Sequence, residues 1–195
     1  MLKDKLAHYT LILASNSARR QQFFSDLNLD FEIRIKDVEE IYPPELKGVE
    51  ITNYLAIHKA NAFEGTLKAN EILITGDTIV WHNNTALGKP KNKKEAFTIL
   101  KSLSNTTHEV ISSVCFKTKD KLDVVYGITK VTFDYLDDEL IEYYLENYNP
   151  YDKAGSYGIQ EWFGFVGITK IEGSCTNVMG MPTDKVFAYL RNLST

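Results

Sequence analysis

Two adjacent arginines, Arg19 and Arg20, follow Ser15-Asn16-Ser17 where a helix should begin. Leu11-Ile12-Leu13-Ala14 reads as a short buried strand, Ser15 to Ser17 as a tight polar turn, and Ala18 to Leu27 as the helix. The free N–H groups of a helix start already carry about half a positive charge, so each cation placed there costs about 0.3–1 kcal/mol. An anion lying between the arginines reverses that penalty. Serine hydroxyls, backbone N–H groups and planar guanidinium forks are together what a polyphosphate needs. The same residues also read as an N-cap, Ser17, followed by two solvated arginines, and the segment alone leaves both readings open.

Four further patches end apolar runs and carry polar chemistry: Gly76-Asp77-Thr78, Gly88-Lys89-Pro90, Asp152-Lys153-Ala154-Gly155 and Tyr157-Gly158-Ile159-Gln160. Asp77 stands between two apolar, β-branched half-strands, where desolvation raises a carboxyl's pKa and makes it a poised base or a cation ligand. It also reads as an Asp in an ordinary turn. The functional reading leads, because Gly76 permits close approach of a ligand to the backbone. Pro90 pushes Lys89 toward an extended backbone and narrows where its ammonium can point, against the bland reading of one solvated lysine among Lys91, Lys93 and Lys94. Lys59 interrupts an apolar helical stripe, so it either snorkels out or points at a buried anion. Asp152-Lys153 also reads as a surface pair worth little, and Gln160 as an ordinary hydrogen-bonded side chain.

Composition narrows the classes. The chain has 195 residues, a net charge of −4 and 44% hydrophobic residues, enough for a real core. That charge, with a pI near 5.6, supplies no basic field for nucleic acid, so any phosphate recognition is local. Cys115 falls in a strand-like run and Cys175 in a polar loop, with no CxxC, so free thiols are expected. His8, His58, His82 and His108 show no spacing for a zinc site or a nucleophilic triad. Neither GxGxxG nor GxxxxGK[ST] is present. Met1 to Thr10 lacks an apolar signal core and no apolar run reaches spanning length, so a cytoplasmic chain without membrane contact is expected.

The elements that must position these residues alternate between strand and helix. Phe31 to Ile35 alternates like a half-buried strand, and Asp37 to Gly48 is a loop holding the acidic pair Glu39-Glu40. Ile51 to Phe63 reads as a helix, with Ile51, Leu55, Lys59 and Ala62 along one face. Ile72 to Thr75 and Ile79 to Trp81 read as two strand pieces on either side of Gly76-Asp77-Thr78, with Asn83-Asn84 a turn after them. Asn92 and Glu95 resemble a capping box for a helix to Leu103. Val110 to Phe116 and Val124 to Tyr135 read as long strands joined by a turn at Lys119 to Lys121. Asp137 caps a helix to Asn147; Phe163 to Ile171 reads as a strand, Gly173 to Asn177 as a loop, and Pro182-Thr183 opens a last helix to Leu193. With no linker or repeat visible, residues 1–195 are expected to form one mixed α/β domain.

The order of these motifs resembles the Maf family of house-cleaning nucleotide pyrophosphatases. Ala14-Ser15-Asn16-Ser17-Ala18-Arg19-Arg20 is similar to the family's Ala-Ser-x-Ser-Pro-Arg-Arg signature, Glu40 to its loop glutamate and Lys59-Ala60 to its Lys-Ala helix motif. Gly76-Asp77-Thr78-Ile79-Val80, Leu87-Gly88-Lys89-Pro90, Thr107-His108-Glu109-Val110-Ile111, Asp152 to Gln160 and Asn177 to Pro182 follow in the family's order. Asp77-Thr78 with Gly158-Ile159-Gln160 is similar to the branch acting on dTTP and UTP, whereas relatives acting on 7-methyl-GTP carry Gln for Thr78 and Glu for Gln160. Ala18 stands where Pro is usual, Glu161 where Gly is common and Cys175-Thr176 where Tyr-Ser is common.

The resemblance implies a mixed central β-sheet flanked by helices, with two lobes around a nucleotide-binding cleft, as in Maf and inosine triphosphatase-like proteins, and often a homodimer. It implies hydrolysis of a nucleoside triphosphate between the α and β phosphorus atoms, with Mg²⁺ or Mn²⁺. Asp77 would be the proton acceptor, and Ser15, Ser17, Arg19, Arg20, Lys59 and Lys89 the substrate-binding residues. Arg19, Thr78 and Gln160 would tune base choice, and Glu40, Asp77 and Asp152 are the candidate metal ligands. The rival readings are a Maf-type pyrophosphatase for another base, such as 7-methyl-GTP, and a nucleotide-binding regulator of septum formation. Asp77 favours turnover, since a pure binder has no need of a carboxylate facing a polyanion.

Overall fold

Leu11, Ile12 and Leu13 are all but fully buried, as an unbroken apolar run without alternation should be when both faces of its sheet are covered. They form β1 (Thr10–Leu13) in a computed structural model that describes residues 2–193. The chain opens with the short helix α1 (Leu2–Lys5) and continues from β1 through α2 (Ala18–Asp26), β2 (Glu32–Ile33), α3 (Val49–Asn61), β3 (Glu71–His82) and β4 (Thr85–Leu87). Then come α4 (Lys93–Leu103), β5 (Thr107–Lys117), β6 (Leu122–Phe133), α5 (Asp138–Asn147), a 3₁₀ turn at Ala154–Ser156, α6 (Trp162–Gly167), β7 (Ile168–Glu172), α7 (Cys175–Val178) and α8 (Thr183–Leu193). This is a mixed α/β fold on one seven-stranded sheet, ordered β2-β1-β3-β5-β6-β7, with β4 paired to β3. Both β2 and β3 run parallel to β1, whereas β4 is antiparallel to β3 and β7 to β6. None of the helices is long and apolar enough to cross a membrane among the described residues.

Local signals held where they close within a few residues. Ser17, Asn92 and Asp137 cap α2, α4 and α5, each accepting the backbone N–H three residues on. Glu95 Oε2 returns a bond to Lys91 N at 2.8 Å, a near-complete capping box. Asn83 and Asn84, with φ of 49° and 58°, make the tight turn from β3 into β4.

Four expectations are corrected. Gly76-Asp77-Thr78 does not break a strand in two, for β3 is continuous from Glu71 to His82. A Cβ on Gly76 would stand 2.9 Å from the Ser113 carbonyl of β5, so this glycine serves close strand packing rather than a turn. Phe31 to Ile35 yields only the two-residue edge strand β2, whose residues are exposed rather than half-buried. Phe163 to Ile171 is helix α6 followed by β7. In α6 Phe163, Gly164 and Gly167 are buried while Phe165 and Val166 are exposed, a helical period that aromatic composition alone disguised. Gly164 sits directly against the Ile159 backbone, where no side chain fits. The expected loop at Gly173 to Asn177 likewise contains the start of α7.

The chain divides into two compact units interleaved in sequence: residues 1–77, 112–127 and 180–195, and residues 78–111 and 128–179. The division falls within β3, β5 and β6. In the first unit α3 packs Ala56 and Ala60 against Ile12, Leu73 and Cys115; two small residues one turn apart bring the helix close to the strands. In the second, Ala96, Ile99, Leu100 and Leu103 of α4 and Ile141, Tyr144 and Leu145 of α5 close over Val80, Val110, Val131 and Phe133.

Gly155 combines a left-handed backbone with a close neighbour in the second unit. Its φ is +71°, and a Cβ there would stand 2.6 Å from Val80 Cγ2. Gly155→Ala should therefore lose about 2–4 kcal/mol, combining left-handed backbone strain with overpacking. Urea unfolding of the variant against wild type measures this loss.

Candidate active site

The start of α2 solves its charge problem by turning Arg20 inward. Ser15 Oγ accepts from Ser17 N at 3.2 Å, and Ser17 Oγ accepts from Arg20 N at 3.4 Å, so both serines fix the turn. Arg20 Nε donates to Gly180 O at 3.0 Å and Nη1 to Gly76 O at 2.9 Å, with Ser15 Oγ at 3.5 Å. Burial lowers the affinity of this guanidinium for its proton, and Asp77 opposes that effect. Arg20 thus braces the strand beside Asp77, a part that sequence reading did not give it. Gln21, which donates from Nε2 to Ser15 O at 3.0 Å, was missed altogether, since a glutamine on a helix gives no signal in sequence. Arg19 is half-buried on the same turn.

Asp77 is 7% exposed and accepts from Lys59 Nζ at 2.6 Å through Oδ1. Its other oxygen, Oδ2, takes no protein hydrogen bond among the described residues. The same ammonium reaches Glu40 Oε1 in the loop before α3, at 2.7 Å. Of the two fates open to Lys59, the structure selects the buried anion. Desolvation holds the Asp77 carboxyl above the ordinary carboxylate range; Lys59 and Arg20 pull it down, and Glu40 adds to the rise. The first unit therefore brings together Ser15, Ser17, Arg20, Glu40, Lys59 and Asp77. Glu40 and Asp77 converge on one cationic centre, although among the described residues no group of three or more His, Cys, Asp or Glu side chains forms a metal cluster.

The remaining predicted residues belong to the second unit. Thr78 is half-buried in β3, while Lys89, Asp152 and Gln160 are exposed. Gly155 N donates to Gly88 O at 3.2 Å, which ties the Gly88-Lys89-Pro90 loop to the Asp152 loop. Asp152-Lys153 is not a plain surface pair. Lys153 is buried, with Nζ 2.8 Å from Asp152 Oδ1, 2.9 Å from Glu161 Oε1 and 3.2 Å from Asn149 O. Glu161 Oε2 accepts from Tyr144 Oη at 2.8 Å, so the residue standing where the family commonly has Gly anchors this loop to α5. Its carboxylate also packs on Gly158, where a Cβ would lie 2.7 Å from Glu161 Cδ. His108 Nε2 and Tyr157 Oη meet at 2.7 Å, and burial pushes the imidazole down to about 3, so it is neutral at working pH.

A family model described as "Maf-like protein" matches residues 10–193. The chain belongs to the Maf family. Among its relatives, a dTTP/UTP pyrophosphatase of Flavobacterium johnsoniae is 70% identical over 193 residues, 99% of this chain and 100% of that protein. One of Flavobacterium psychrophilum, with the same name, is 60% identical over 192 residues, 98% of each chain. Among solved structures, a nucleoside-triphosphatase (dITP/XTP pyrophosphatase) of Mycobacterium abscessus has a TM-score of 0.48 and 13% identity, covering 95% of this chain and 98% of that one.

The raised Asp77 carboxyl carries a stability consequence in this Maf-family protein. Its contribution is fully favourable below the unfolded carboxylate pKa, about 3.9, and is lost as pH rises through the higher folded value. Asp77→Asn removes the buried charge while Glu40 still holds Lys59. The variant should melt at or above the wild-type temperature at pH 7.5, and the difference should vanish near pH 4. Thermal unfolding across that range measures it.

Proposed function

We propose that this chain hydrolyses dTTP and UTP between the α and β phosphorus atoms, releasing the monophosphate and pyrophosphate, with Asp77 as the base that activates water. The buried Asp77–Lys59 pair carries this reading. A carboxylate held above its ordinary range is a stronger base than an exposed one, and Oδ2, which takes no hydrogen bond among the described residues, is the atom to take the proton. Lys59 draws the Asp77 pKa down against the effect of burial and supplies positive charge where phosphate charge must be neutralised. Ser15, Ser17, Arg19, Arg20 and Lys89 complete the set assigned to the triphosphate, and Arg19, Thr78 and Gln160 the set assigned to the base. The names of the two Flavobacterium relatives support dTTP and UTP as substrates.

A divalent cation such as Mg²⁺ or Mn²⁺ belongs to this reading. Glu40 and Asp77 fit one, because both are oxygen donors and both already reach a single cationic atom, Lys59 Nζ, at 2.7 and 2.6 Å. Asp152, whose Oδ1 is held by Lys153, is the weaker candidate ligand. Such an ion takes one or two carboxylates and completes its shell with water and phosphate oxygens. When bound, it neutralises the charge that develops on the phosphate oxygens.

Pyrophosphate release measured across canonical and methylated nucleoside triphosphates tests the substrate. For the base, kcat/KM should rise with pH as Asp77 loses its proton, with an acid limb above about 3.9, the ordinary Asp value. Asp77→Asn should lose about 10²–10⁴-fold in kcat; near wild-type release by this variant would falsify the assignment. A glutamine offers both a donor and an acceptor to the O/N–H edge shared by uracil and thymine, whereas an ionised glutamate only accepts. Gln160→Glu should therefore cost about tenfold to hundredfold in kcat/KM for dTTP and UTP, with inhibition by pyrophosphate little changed. Preference of the wild type for GTP or 7-methyl-GTP over both pyrimidines counts against Gln160.

A further inference from the structure

We propose that Thr75 is a positioning residue for the Asp77–Lys59 pair, its buried hydroxyl locking the backbone of α3 to β3 so that Lys59 meets Asp77. The proposal rests on the roles given above to Asp77 and Lys59. Thr75 is 1% exposed, and its Oγ1 donates to Ala56 O of α3 at 2.7 Å. That carbonyl already lies within the helical i→i−4 ladder, so the threonine bond is an added cross-link between helix and strand.

The spacing makes the lock specific. Thr75 and Asp77 are two apart in a strand and so share the face turned to α3. Ala56 and Lys59 are three apart in the helix, nearly one turn. One strand face thus grips α3 twice, at a backbone carbonyl through Thr75 and at an ammonium through Asp77, across about 6.6 Å of strand and about 4.5 Å of helix axis. A turn before Ala56, Thr52 Oγ1 meets Ser113 Oγ of β5 at 2.7 Å, and Ser113 Oγ donates to Asn53 Oδ1 at 2.7 Å. These bonds hold the upstream end of α3, and Lys117 Nζ of β5 donates to Asn61 Oδ1 at 3.3 Å at its last residue, whereas the Thr75 bond joins its backbone to β3, the strand that carries Asp77. Ala56 and Ala60, both fully buried, let the helix come close enough for it to form. Cys115 of β5 lies beside the same hydroxyl, and burial pushes its thiol up to about 11, so the thiol stays neutral and presents no charge to the lock. The charged groups that face Asp77 are Lys59 from α3, Arg20 from α2 and Glu40 from the preceding loop.

Without the hydroxyl, α3 loses its backbone bond to β3 beside Lys59, and a lysine that meets its partner at 2.6 Å feels any shift of the helix. Pyrophosphate release is measured for wild type and for Thr75→Val, Thr75→Ala, Thr75→Ser and Asp77→Asn, each checked for folding by circular dichroism. Thr75→Val, nearly isosteric, should lose about 10–100-fold in kcat with KM little changed, since misplacement near the chemistry acts on the reacting geometry. Thr75→Ser, which keeps the hydroxyl, should restore kcat. Should the valine variant not fold, Thr75→Ala carries the same expectation. Wild-type kcat in the folded valine or alanine variant, or equal losses in the serine variant, overturn the proposal while leaving Asp77 as base. Retained turnover in Asp77→Asn overturns the reading of the site and this inference with it.

Discussion

A carboxylate in the interior of a central strand is the constraint around which the first unit is arranged. Asp77 is 7% exposed, and an ionised carboxylate taken out of water is costly unless it is paired and hydrogen-bonded. The fold answers with Lys59 in contact and Arg20 nearby. Each cation imposes a requirement on an element. Lys59 fixes the register of α3, which needs Ala56 and Ala60 to lie close to the sheet. Arg20 fixes the turn before α2, which needs Ser15 and Ser17 to satisfy the backbone, and it donates to the Gly76 carbonyl next to Asp77. Burial still outweighs these partners, so the carboxyl remains more basic than an exposed one. Incomplete compensation of this kind suits a base.

The second unit solves a different problem, that of holding an irregular loop still. From Asn149 to Glu161 the only regular piece is the 3₁₀ turn at Ala154–Ser156. Its rigidity comes from charge and from aromatic packing. Lys153 is buried with two carboxylates and a carbonyl around its ammonium, and Glu161 passes the connection on to Tyr144 of α5. Tyr157 packs edge-on to Phe133 at 4.9 Å and hydrogen-bonds the neutral His108. Because His108 does not ionise at working pH, this support does not change across the range in which an enzyme acts. Glu161 departs from the common Gly of the family, and here it replaces backbone compactness at that point with a bridge between two side chains.

What was legible in the sequence was set by interactions that close within a few residues. The caps at Ser17, Asn92 and Asp137 were readable because each side chain bonds an amide three positions away. So was the Asn83-Asn84 turn, whose positive φ values suit asparagine. The ordered motifs sufficed for the family. The errors came where distant neighbours decide. Gly76-Asp77 carries turn composition, yet β3 runs straight through it, with Gly76 packed close against Ser113 of β5. Trp162 to Gly167 carries strand composition, yet Gly164 against the Ile159 backbone turns it into helix.

The sequence by itself determined which residues could do chemistry, because residue type and local order are all that such a reading needs. Tertiary structure decided what each of them does. Only packing could choose between a snorkelling and an inward Lys59, because the choice depends on a carboxylate 18 residues away in sequence. Only packing could make Arg20 a brace, since its acceptors lie 56 and 160 residues away. Lys153 took three acceptors where the sequence showed one neighbour. Long side chains leave composition silent about their partners, since burial and the loss of competing water select one partner among many within reach.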